Sequence, residues 1–87
     1  MDAQQQATVV LTQAAGGRVA LRVEADGSFV LAEQLDTQAL APGQVMAGRM
    51  DVIGLEDWAD RSDGEQRFAV FIQAYGLSWE AVRAELA

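Results

Sequence analysis

Two alternating runs joined by Asp26-Gly27 constrain this chain more than any other feature. In Arg18-Val19-Ala20-Leu21-Arg22-Val23-Glu24, the side chains of Val19, Leu21 and Val23 fall on one side, and Arg18, Arg22 and Glu24 on the other. That period of two describes a strand with one face buried and one in water. Ala25-Asp26-Gly27 follows, and Ser28-Phe29-Val30-Leu31-Ala32-Glu33 supplies the return. Asp-Gly tolerates the positive φ angles of a tight hairpin turn, so it is a strong hairpin signal between alternating runs. The rest of the chain must then cover the apolar face of this hairpin.

Further strands are expected on either side of it. Thr8-Val9-Val10-Leu11-Thr12 is short and β-branched, and Ala14-Ala15-Gly16-Gly17 breaks it. Residues 1–6 read as a flexible tail. Leu35–Ala41 reads as a connection with one helical turn capped by Asp36, and Pro42-Gly43 as a tight turn. Gln44–Ile53 reads as a fourth strand, with Met46, Gly48, Met50 and Val52 on one face and Gly48 a candidate bulge or kink. The run Ser28–Glu33 followed by Leu40-Ala41-Pro42-Gly43-Gln44-Val45 resembles the strand, short helix and Pro-Gly turn of the swapped-hairpin transition-state regulators of the AbrB type. The resemblance spans about 18 residues, needs one deletion, and lacks the proline and basic residues that family uses on DNA. No DNA-binding role carries over.

The C-terminal third reads as helical. Leu55, Trp58 and Ala59 stand at i, i+3, i+4 with Glu56, Asp57 and Asp60 pointing outward. Ser62 and Glu65 have capping-box spacing, and Phe68, Phe71, Ile72 and Tyr75 follow at i, i+3, i+4, i+7. A strand alternative exists over 66–74, because Phe68, Val70 and Ile72 also alternate; the helix is preferred because no breaker interrupts the run before Gly76. Gly76 suits a helix C-terminus, and Ser78 caps a last helix carrying Trp79, Val82 and Leu86 on one face.

The expected fold is therefore α+β. Three to four antiparallel strands (about 8–12, 18–24, 28–34 and 44–53) carry two to three C-terminal helices (about 55–61, 63–75 and 78–86) on one face. The 87 residues make one small domain, which buries only about 60–65% of its unfolded surface.

Composition removes most chemistry. There is no histidine, cysteine or lysine, which removes the residues behind most general-base, thiolate and Schiff-base catalysis and makes disulfides and thiolate metal sites impossible. Gly43, Gly48 and Gly54 are spaced wrongly for a phosphate-binding loop. An EF-hand loop with Gly64 at its sixth position would need acids where Ala59, Arg61 and Val70 stand. No catalytic residue, metal or cofactor is expected. No apolar run is long enough to cross a membrane as a helix, and the N-terminus lacks the basic and apolar regions of a secretory signal. A cytoplasmic protein is expected.

Charge is the remaining clue. Thirteen acids against six arginines leave a net charge of −7, which repels nucleic acid and attracts basic protein surfaces. The expected function is a non-catalytic acidic protein-interaction module for a basic protein, such as a nucleic-acid-binding protein. It extends to an inhibitor or antitoxin-like factor and to a homodimer. Its candidate partner-binding residues are the acidic stretch Glu56, Asp57, Asp60, Asp63 and Glu65 with Trp58 and Trp79 as anchors. The alternative is a nucleic-acid-binding regulator using a helix-turn-helix-like unit at 62–86. Its second helix would carry Glu80 and Glu85 against Arg83, which argues against direct nucleic-acid contact.

Overall fold

The computed structural model describes residues 4–86 apart from Ala14, Gly16 and Glu65. The chain forms a closed six-stranded antiparallel barrel with one short helix. Its strands are β1 (Gln5–Gln13), β2 (Arg18–Val23), β3 (Phe29–Gln34), β4 (Val45–Gly48), β5 (Gly54–Asp60) and β6 (Arg67–Leu77), and the helix is α1 (Trp79–Leu86). β1-β2-β3 and β4-β5-β6 are two meanders, joined edge to edge by the β1–β4 and β3–β6 pairs.

The expected hairpin is present: β2 pairs with β3 in continuous register from Arg18↔Glu33 to Arg22↔Phe29. Gly27 takes the positive φ of +74° that the turn requires, and the Ser28 N–H and hydroxyl both donate to Asp26 Oδ1. Alternation fills the barrel. Val9, Val19, Leu21, Val23, Val30, Ala32, Met46, Trp58, Phe68, Val70 and Ile72 are among the buried side chains that form one core, with Leu40 and Met50 added from connections. A barrel of this size is closed by its own side chains rather than left as a channel.

The α+β expectation is overturned. Residues 55–61 and 63–75 are strands, not helices, and the only helix among the described residues is α1, where the expected third helix lies. The helix-turn-helix-like unit at 62–86 is not formed, because Arg67–Leu77 is extended. β6 pairs on both sides, with β3 and β5, so its backbone groups are satisfied in the ladders. The helical stripe was an accident of two faces. Phe68 and Ile72 point into the barrel and are buried, Phe71 points out, and Tyr75 lies exposed beyond the register shift that follows Ile72. Ser62 caps no helix: its N–H and hydroxyl donate to Asp60 Oδ1 at 2.8 and 2.7 Å, closing the β5–β6 turn. Glu65, its expected capping partner, lies outside the described residues.

Other boundaries shift. β1 begins at Gln5, inside the stretch read as a tail, and carries a bulge between Val9 and Leu11. β4 ends at Gly48 rather than Ile53, and residues 36–38 bend without forming a helical turn. Gly48 is neither bulge nor kink. It lies where a Cβ would fall 2.5 Å from Trp58 Cδ1, so it is the space the indole needs.

α1 lies outside the barrel. Ser78 Oγ accepts from the Ala81 N–H at 3.1 Å, an N-cap. Arg18 on β2 ties down the other end, donating to Glu85 Oε1 at 3.2 Å and to the Glu85 carbonyl at 2.8 Å. Val82 is fully buried, and Trp79 packs on Phe29 with ring centroids 5.4 Å apart. Ala20 and Leu31 alternate outward yet are buried outside the barrel core, so α1 covers the outer face of β2–β3. No helix among the described residues is long and apolar enough to cross a membrane.

Candidate protein-interaction surface

Strand geometry separates the residues that adjacency in sequence had grouped. Along β5 successive side chains alternate faces, so Glu56, Trp58 and Asp60 turn inward while Leu55, Asp57 and Ala59 turn outward. Trp58 is fully buried, and its Nε1 donates to the Arg49 carbonyl at 2.9 Å. Asp60 is 7% exposed and accepts from the Ser62 N–H and hydroxyl and from Gln44 Nε2 at 2.7 Å. The Ser62 hydroxyl, then its N–H, then Gln44 hold the Asp60 carboxyl below its ordinary pKa. These partners make Asp60 the anchor of the β5–β6 turn.

Asp57 is exposed and bound to Arg67 Nε at 2.9 Å, a diagonal pair on the outer face of β5–β6. Asp63 is exposed in the turn beyond Asp60, and Glu56 is half-buried. Glu65 lies outside the described residues. Trp79 keeps 41% of its surface exposed but sits on α1, at the Phe29 stack over the β2–β3 face. The expected cluster is thus divided between the barrel interior, the β5–β6 turn, the outer face of β5 and α1. The structure joins Asp57 instead to neighbours on β6.

Those neighbours include an exposed apolar pair across two strands. Leu55, 71% exposed, stands directly opposite Phe71, 38% exposed, in the β5–β6 register. On its other side Phe71 pairs with Glu33 of β3. Leu35, whose N–H donates to the Ala69 carbonyl at 3.0 Å, and Ile53, just before β5, are exposed nearby along the chain. The outer face of β2–β3 is covered by α1; among the described residues the Leu55–Phe71 pair on β5–β6 stays exposed. Leu55 and Phe71 were missed because they were assigned to helices. The signal that could have found them was the alternation of Phe68, Val70 and Ile72, which leaves Phe71 on the opposite, wet face.

Among the described residues no group of three or more acids is arranged to hold a metal ion. A shallow open groove of about 730 Å³ at one end of the barrel is lined by Gln6, Glu24, Gln44, Asp60, Arg61 and others. Asp60, its most buried acid, already has three hydrogen-bond donors there. Comparison with known proteins found no match: no family model, no curated protein and no solved structure is similar to this chain.

Proposed function

We propose that the chain is a non-catalytic acidic protein-interaction module that receives a basic protein partner on the outer face of β5–β6. One observation carries the reading: Leu55 and Phe71 are paired across two strands and exposed among the described residues, on a molecule of net charge −7. Apolar anchors inside a charged rim are how protein interfaces combine affinity with steering. Asp57 and Glu33 supply acids beside the pair, and Arg67 sets local polarity. In the sharper form of the reading the partner is itself a nucleic-acid-binding protein, and the module acts in the cytoplasm as an inhibitor or antitoxin-like factor.

The test is capture by the immobilised full chain. A specific host protein is expected to be retained at about 50 mM NaCl and released at about 500 mM. Leu55→Ser and Phe71→Ser are each expected to abolish retention. Capture that is indifferent to salt would remove the electrostatic part of the reading. Capture that survives both substitutions would remove the face.

A further inference from the structure

A closed barrel has no strand edges, yet β5 has a short one. β6 pairs with β5 from Gly54↔Ile72 to Ala59↔Arg67 without a register shift. β4 pairs with β5 only at Met46↔Asp60 and Ala47↔Ala59. The direction of the main-chain groups follows from two bonds. The Asp60 N–H donates to the Gln66 carbonyl, toward β6, and the Arg61 N–H donates to the Val45 carbonyl, toward β4. Directions alternate along a strand, so Leu55 and Asp57 also face the β4 side. There β4 has already ended at Gly48.

The connection after Gly48 does not take its place. It turns inward: the Arg49 carbonyl accepts from the Trp58 indole, Met50 is buried, and the Met50 N–H donates to Gln5 Oε1 at 3.2 Å. Among the described residues no main-chain hydrogen bond joins residues 49–53 to residues 54–57. The Asp57 carbonyl has a long contact from Arg67 Nη2 at 3.5 Å. Among the described residues none bonds to the Leu55 N–H or carbonyl or to the Asp57 N–H on this side, beside the Leu55–Phe71 pair.

Exposed edges invite another strand, and proteins usually block them with lysine, proline or a covering element. This chain has no lysine, and its one proline is Pro42. What flanks the edge is acid in excess: Glu56 on one face of β5 and Asp57, paired with Arg67, on the other, with Asp51 and Arg49 both exposed in the connection before it. Two copies of the chain pairing here antiparallel would bring Glu56 and Asp57 of both together, and like charges opposed across strands destabilise. A basic strand meets the opposite sign.

We propose that residues 54–57 are a strand-addition site, at which an extended segment of the partner pairs antiparallel with β5. This rests on the reading of the chain as an acidic interaction module and specifies its mode. The segment carries an apolar residue opposite Leu55 and arginine or lysine opposite Glu56 and Asp57. In antiparallel order its core is basic, basic, apolar. Main-chain bonds supply affinity and the alternate side chains supply specificity.

The test uses a synthetic peptide with an Arg-Arg-Val core flanked by threonines, titrated into the isotopically labelled full chain. Binding is expected to shift the Leu55 and Asp57 amide signals, slow their hydrogen exchange, and weaken with added salt. Blocking the N–H of the first arginine or of the valine by N-methylation is expected to weaken binding by about tenfold. The same block on the middle arginine, whose N–H points away from β5, is expected to leave it within about twofold. Three equal affinities would overturn strand addition, as would failure of the unmodified peptide to bind. If the salt-sensitive host partner is still captured then, the proposed function stands without this mode; if no such partner is captured, the function itself falls. A dimer in light scattering that Leu55→Ser abolishes would also overturn the inference, by making a second copy the occupant.

Discussion

Gly48→Ala places one methyl group where the core has no room for it. A Cβ at this position would lie 2.5 Å from Trp58 Cδ1 and 3.4 Å from Cγ and Nε1. Carbon atoms pack best at about 3.5–4.0 Å, so about 1 Å of overlap must be relieved. The obvious escape is closed, because the indole is fully buried and its Nε1 holds the Arg49 carbonyl at 2.9 Å. Gly48 has no positive φ, so alanine fits the backbone and gains about 0.4–1 kcal/mol by restricting the unfolded chain. Overpacking costs about 1–3 kcal/mol, and loosening the indole hydrogen bond adds about 1 kcal/mol. The net expectation is a destabilisation of about 1–3 kcal/mol.

A domain of this length has a total stability of about 4–13 kcal/mol, so the effect is readily measured. Urea unfolding followed by circular dichroism gives the change. Trp58 fluorescence, isolated in a Trp79→Phe background, reports whether the indole moves. The decisive arm is a double-mutant cycle: in the Trp58→Phe background the smaller ring should make the cost of Gly48→Ala fall by about 1 kcal/mol or more. Gly27→Ala is the contrasting control. A Cβ at Gly27 meets nothing within 4 Å, but its φ of +74° is left-handed, so about 1–2 kcal/mol is lost to the backbone alone, whatever stands at 58. A neutral or stabilising Gly48→Ala, or one whose cost is unchanged without the tryptophan, would refute the close-packing account.

Two further outcomes are expected. The Asp60 carboxyl is held below its ordinary pKa in the folded state by the Ser62 hydroxyl, the Ser62 N–H and Gln44, so its contribution is complete above the unfolded-state value and is lost as pH falls through the folded one. The Asp26 carboxyl is lowered with the same sign, chiefly by the Ser28 N–H. The urea midpoint should therefore stay level from pH 7 to about 5 and drop below about pH 4, with Asp60→Asn flattening part of that acid limb; a midpoint that rises on acidification contradicts the sign. On the opposite face, Val82→Ala should cost about 1–2 kcal/mol by removing buried methyl groups. Arg18→Ala, which breaks a partly exposed pair at 3.2 Å, should cost under about 1 kcal/mol. Both should speed amide exchange in α1 before the barrel strands are affected.

The parts of the fold legible in the sequence were those with a local cause. Val19, Leu21 and Val23 against Asp26-Gly27 specify a hairpin because alternation and turn chemistry act within a few residues. Ser78 before Trp79 marks the start of α1 for the same reason. β5 and β6 were hidden by what they carry. The inward positions of β5 are Gly54, Glu56, Trp58 and Asp60, so polar groups occupy the face where alternation demands apolar ones. β6 puts Phe71 on its wet face and leaves Tyr75 exposed beyond a register shift, so its apolar residues also match a helical period. A period can be counted only when one face is apolar and the other is not.

The surface followed the same division. Composition by itself determined that the chain cannot use imidazole, thiol or amine chemistry and that it carries an excess of seven negative charges. Which acids and aromatics meet was decided by tertiary structure alone. Barrel closure buried Trp58 and Asp60, left Leu55 facing Phe71, and ended β4 before β5 was fully paired. Composition is a property of single residues, whereas the placement of an edge and a face depends on the register between strands distant in sequence. That register is settled by the packing of the whole interior.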